Sequence, residues 1–148
     1  MKQVDLLVIA LNSPLLIGVY EDDKLIETLS YDEHASDALI TALSHLSKKY
    51  NFSKIIYANT PGSFMGLKVA YVTLKSYCVA KDCKLYGVSG FELNEGGAIR
   101  ANKSFCFVLE NGEVVLKKSE PCSFVLPQNL QNLNLSLNSE PIYHIDAV

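Results

Sequence analysis

The run Val4–Ala10 is apolar apart from Asp5 and shows no alternation of polar and apolar residues. A strand carries such a run when both of its faces are buried. Asn12-Ser13-Pro14 then forms a turn. Leu15–Tyr20 and Lys24–Ser30 read as two further strands, joined by the tight polar turn Glu21-Asp22-Asp23, so an antiparallel meander is expected. Ala35–Tyr50 reads as a helix, with Ala35, Leu39, Ala42, Leu43, Leu46 and Tyr50 on one apolar stripe. Ser53–Ala58 is a fourth strand, rich in β-branched and aromatic residues. Reached through a helix, it is expected to lie parallel to a neighbour. A second helix is expected over Met65–Ala80, a fifth strand over Lys84–Val88 and a helical turn near Phe91. The sequence therefore predicts an α/β fold with a mixed sheet whose first three strands are antiparallel.

After Gly96-Gly97 the character of the chain changes, which divides it into a larger lobe, 1–97, and a reduced second lobe, 98–148. Ser104–Leu109 and Val114–Lys118 flank Asn111-Gly112, a hairpin signal. The tail from Pro121 repeats Asn and Leu between Gln128 and Asn138 as low complexity, and Ile142–Ile145 reads as a last edge strand. The order βββ-α-β-α-β resembles the ribonuclease-H-like lobe shared by actin, Hsp70 and sugar kinases. Some fifty residues beyond Gly97 are too few for a second lobe of equal size.

Composition narrows the function. The 148 residues carry 13 basic and 16 acidic side chains, a net charge of −3. A chain that holds a polynucleotide alone needs clustered Lys and Arg. The closest pairs here are Lys48-Lys49 and Lys117-Lys118, so no direct nucleic-acid binding is expected. Cys78, Cys83, Cys106 and Cys122 form no C-x-x-C pair and have no histidine cluster beside them, which argues against zinc. Reduced, mostly buried thiols fit best, although arithmetic leaves two disulfides open. No segment is long enough to span a bilayer. Asp5 and Asn12-Ser13-Pro14 interrupt the apolar start before it makes a signal sequence, so a cytoplasmic location is expected.

The most informative segment is Pro61-Gly62-Ser63-Phe64-Met65-Gly66-Leu67-Lys68. It reads as a strand-to-helix junction in which Gly62 allows unusual backbone angles. Ser63 caps the helix, and Phe64 anchors the loop in the core. Such a junction holds an anion at the helix amino terminus or is only a tight turn. The octet resembles the P-G-S-F-x-G-L-[RK] signature of the TsaB (YeaZ) family. The resemblance continues through Lys75 and through Tyr86-Gly87-Val88-Ser89-Gly90-Phe91-Glu92, and His34 matches the start of a family His-Ser-Glu run. It covers Glu33–Leu93 and fades after Ala98. It implies an actin-like ATPase fold without catalysis. The implied role is a partner that binds and supports TsaD, together with TsaE, in making N6-threonylcarbamoyladenosine in tRNAs that read ANN codons.

Active members of the wider fold carry an acid in the first turn, where this chain has Leu11-Asn12-Ser13-Pro14. Leu11 cannot ligate Mg²⁺, so neither ATP hydrolysis nor a bound cofactor or metal is expected. His34, His45 and His144 include no i, i+4 pair for a metallopeptidase, and no G-x-S-x-G is present. Three readings stay open: a non-catalytic partner subunit, a degenerate nucleotide-binding protein, and a peptidase acting on TsaD-like partners. The first is favoured by the second helix. Leu67, Ala70, Tyr71, Leu74 and Cys78 form one apolar face, while Met65, Val69, Val72, Ser76 and Ala80 form a second, with only Lys68 and Lys75 charged between them. Two such faces predict two burials, one of them against another protein. Ala38 and Ala42 of the first helix are expected to let a partner helix approach closely. Homodimerisation, in competition with a TsaD heterodimer, is expected through these helices.

Overall fold

In a computed structural model, residues 1–32 and 35–144 are described. Strands β1 (Lys2–Ile9), β2 (Leu15–Glu21) and β3 (Lys24–Tyr31) form the meander. Helix α1 (Ala35–Ser47) leads to β4 (Tyr50–Thr60), and α2 (Phe64–Lys81) leads to β5 (Lys84–Ser89). The sheet order is β3-β2-β1-β4-β5, with β1 antiparallel to β2, β2 antiparallel to β3, and β4 parallel to both β1 and β5. The mixed sheet and its antiparallel opening are as the sequence predicts. Asp22 and Asp23 both take positive φ, 50° and 67°, the backbone that a two-residue hairpin of the twisting type requires.

Both faces of β1 are buried, and alternation decides which residue serves which side. Val4, Leu6 and Val8 point into one core with Ile17, Val19, Ile55 and Tyr57. Helices α1 and α2 close that core through Leu39, Leu43, Leu46, Leu74 and Cys78. Leu7 and Ile9 point the other way, into a core with Tyr20, Ile56, Ala58 and Val88.

Among the described residues, no α-helix covers that second face. The low-complexity tail covers it instead, as an irregular strap. Leu130 is buried there, with Leu126, Leu133 and Leu135 packed beside it, while Gln131, Asn132 and Asn134 stay exposed. The strap bonds to the sheet along its course. Gln128 accepts from the Leu25 amide at the β3 edge, and the Tyr20 hydroxyl donates to Pro127 at 2.7 Å. Gly87 of β5 exchanges two backbone hydrogen bonds with Ser136, and the Tyr57 hydroxyl donates to the Ser139 carbonyl. Both edges of the sheet are thereby partly capped, a protection that exposed edge strands need.

Beyond a 3-10 turn at Gly90–Leu93, a small antiparallel sheet forms from β6 (Ile99–Arg100), β7 (Cys106–Glu110) and β8 (Glu113–Lys117). Phe107, Ile99 and Phe91 make its core. The Asn111-Gly112 hairpin is present, with both residues at positive φ.

The structure departs from the sequence reading at Tyr50 and in the tail. Helix α1 stops at Ser47, and Tyr50 opens β4. Tyr50 there pairs with Lys2, and its hydroxyl donates to Glu27 at 2.6 Å, a strand role that outweighs its place on the helical stripe. Ile142–His144 forms no strand; the Ile142 amide donates to the Asn59 carbonyl at 3.0 Å, while Ile145 lies outside the described residues.

Candidate functional site

The octet forms the junction from β4 to α2, as expected. Ser63 is the N-cap of α2, and its hydroxyl accepts from the Gly66 amide at 3.1 Å. Glycine at 66 leaves room for this cap, because a Cβ there would stand 2.8 Å from the Ser63 oxygen. Pro61, Gly62 and Leu67 are buried. Gly62 does not adopt positive φ; its constraint is space, since a Cβ would come within 3.1 Å of both Leu11 and Leu67. Phe64 is not a core anchor either. It is half-buried, pairs with the Tyr143 ring at 4.7 Å and has the Lys68 ammonium 5.8 Å from its centroid. The tail thus packs on the junction through this one ring pair. His34, ahead of α1, lies outside the described residues.

Leu11 sits where the carboxyl ends of β1, β4 and β5 converge, the crevice in which open α/β sheets hold ligands. Its side chain packs into both smaller cores. A Cβ on Gly90 would meet it at 2.4 Å. The crevice is therefore filled by an alkyl group flanked by two glycines. Among the described residues, no group of His, Cys, Asp or Glu is arranged to hold a metal ion. All four cysteines are free. Burial raises the Cys78 thiol well above the ordinary cysteine range, which leaves it protonated and inert.

The helical layer shows which residues of the expected interface are available. Ala38 and Ala42 are fully buried in the core that α1 shares with α2 and the sheet, so they cannot meet a partner. Their small size serves close packing of α1 within its own fold. On α2, Leu67, Ala70, Leu74 and Cys78 face inward. Met65 is 66% exposed, Val72 51% and Val79 73%. Val69 is half-buried, and Ser76 and Ala80 are exposed. Met65, Lys68, Val69, Val72 and Thr73 line a shallow groove of ≈ 280 Å³. Ile40 on α1 and Ile142 of the tail are also exposed. The sequence signal for Ile40 was an apolar residue off the buried stripe. None pointed to Ile142 or Tyr143, because only the fold brings the tail beside Phe64.

Among the described residues, no helix is long and apolar enough to cross a membrane. No family model and no curated protein matches the sequence. Solved structures do match. YeaZ from Pseudomonas aeruginosa superposes with a TM-score of 0.57 at 16% identity, over 82% of this chain and 67% of that one. An uncharacterized protein with similarity to peptidase YEAZ from Pseudomonas aeruginosa gives 0.57 at 15% identity, over 89% of this chain and 73% of that one. The chain has the fold of these structures, which is the actin-like, ribonuclease-H-like fold.

Proposed function

We propose that this chain is a TsaB-like, non-catalytic subunit. It binds TsaD and, through that complex, works with TsaE in forming N6-threonylcarbamoyladenosine on tRNA. The observation that carries the reading is the outer face of α2, where Met65, Val72 and Val79 stand in solvent beside half-buried Val69. Clustered apolar side chains on a surface mark an interaction site. The YeaZ-like fold and the signature octet, built here as a capped strand-to-helix junction, add to it. Leu11 supports the absence of catalysis, since its alkyl group fills the crevice and supplies no ligand for Mg²⁺.

The face also says something about the partner. Helix α2 carries Lys68, Lys75 and Lys81 and no carboxylate, and α1 adds only Asp37. A partner surface that is apolar at its centre and acidic at its rim complements it. A second copy would bring lysine towards lysine, so the homodimer is the weaker of the two assemblies. The proposal is tested by reconstitution. Modification of tRNA by the organism's own TsaD and TsaE should require this chain, while the isolated chain should hydrolyse no Mg²⁺-ATP. Full modification without the chain, or turnover abolished by its own substitutions, would refute the proposal.

A further inference from the structure

Strand β3 is an edge of the main sheet, and the strap pairs with only its first part. The Leu25 amide donates to the Gln128 carbonyl at 3.0 Å, and Lys24 bridges to Asn129. Among the described residues, 27–31 have no backbone hydrogen-bond partner on their outer side. A groove of ≈ 350 Å³ runs between this free part and the strap. Leu16, Phe124 and Leu126 give it apolar walls, Thr28 and Ser30 line it from β3, and no charged side chain does so. Val125, 66% exposed, stands on its wall. Soluble proteins blunt a strand edge with lysine, proline, a bulge or a covering segment. The protection of β3 all falls on its first part, as Lys24, the bulge at Ile26 and the strap. Residues 28–31, Thr-Leu-Ser-Tyr, carry neither charge nor proline. The Glu27 carboxylate beside them is turned onto Tyr50 and Lys49.

We propose that this free edge pairs with the same edge of a second copy of the chain, antiparallel and two-fold about Leu29, so that two sheets join into one. The strap sets the register. Leu25 is already bonded to Gln128, so an added strand reaches 27–31 only. The two-fold axis that uses all of that stretch passes through Leu29. Glu27 then lies opposite Tyr31 of the second copy, Thr28 opposite Ser30, and Leu29 opposite its own equivalent. Residues directly opposite in an antiparallel pair share a face and interact. No like charges meet in this register. The Thr–Ser pair is one that exchanges a hydrogen bond, and a carboxylate that accepts faces a phenol that donates. A register centred on Thr28 instead sets Tyr31 against Leu25 and collides with the strap. So short a pairing makes a small interface of the weak, concentration-dependent class. Helix α2 packs against β4 and β5, at the other side of the sheet from β3. The pairing therefore leaves its outer face free and does not bring its lysines together, and it stands apart from docking at α2.

Thr28 and Ser30 are exposed, so both accept a charge, and they test the edge and the register together. The measurement is sedimentation velocity of the full chain from about 10 µM to about 1 mM, the range in which weak pairing is read. The parent chain should pass from monomer to dimer across it. Thr28→Lys/Ser30→Lys sets lysine opposite lysine twice and should weaken the dimer roughly tenfold or more. Thr28→Glu/Ser30→Lys sets glutamate opposite lysine twice, in this register alone, and should tighten the dimer roughly severalfold, the scale of two exposed cross-strand ion pairs. A gain in association with an unchanged circular dichroism spectrum does not come from unfolding, so the second variant decides the matter even should the first fail to fold. Val69→Asp/Val72→Asp on α2 should leave the dimer as it is. A parent chain that stays monomeric throughout would overturn the proposal and leave the groove to an extended segment of another protein. A dimer unmoved by both charged variants of β3, or one lost through the α2 variant instead, would overturn it as well.

Discussion

Ser63 and Gly66 work as one device. The hydroxyl satisfies an amide of the first turn of α2 that has no acceptor within the helix, and the glycine leaves space for it. Ser63→Ala should lower the unfolding free energy by about 1 kcal/mol, within the usual range for losing an N-cap, as measured by urea denaturation. An unchanged midpoint would mean that solvent replaces the cap. A second residue-scale prediction concerns Glu27. The Tyr50 hydroxyl first, and then Lys49, hold its carboxyl below the ordinary glutamate value of 4.5. A lowered folded-state pKa means stabilisation that is present above 4.5 and lost as pH falls through the folded value. Glu27→Gln should therefore cost no more than about 1 kcal/mol at neutral pH, the scale of a partly exposed pair. The gap to the parent chain should close on acidification below 4.5. A gap that persists to low pH would show that the contact is not ionic.

At the scale of elements, the strap does the work of a helical layer. Leu130 is 4% exposed and packs against the sheet face formed by Leu7, Ile56 and Val88. Leu130→Ala should cost about 2–5 kcal/mol, the span seen when a leucine is cut back in a core. A loss well under 1 kcal/mol would show the strap to be loosely attached. The five strands of the main sheet and both helices were legible in the sequence, β1 as an unbroken apolar run buried on both faces and α2 by its inward row Leu67, Ala70, Leu74 and Cys78, which repeats with the helical period. The strap was not legible. Its leucines are spaced to fit a surface assembled from distant strands, and a local pattern carries no trace of that surface. Ala38 and Ala42 misled for a related reason. A small side chain permits close approach to whatever lies beside it, and the sequence does not say whether that is its own core or another molecule. Of the junction, the N-cap was legible from Ser63 and the following helix. The contacts of Gly62 with Leu11 and of Phe64 with Tyr143 join segments far apart in sequence and appear only in the fold.

On the scale of the whole molecule, the strap lies on the face of the sheet opposite α1 and α2 and leaves the helical layer outward. That layer is basic on a chain of net charge −3, through Lys68, Lys75 and Lys81 against Asp37. Its apolar groove and its lysines lie in the same place, which is the combination a docking face requires. The central claim is that TsaD docks on the outer face of α2. The most direct measurement is co-purification of tagged TsaD from the same organism with the parent chain and with Val69→Asp/Val72→Asp. Val72 is 51% exposed and Val69 half-buried, so the double variant should keep its far-ultraviolet circular dichroism and a cooperative melt. The account predicts a complex with the parent chain and at least roughly a hundredfold weaker binding by the variant, the scale expected when two interface side chains are each replaced by an unpaired charge. A folded double variant that co-purifies with TsaD as well as the parent does would contradict it.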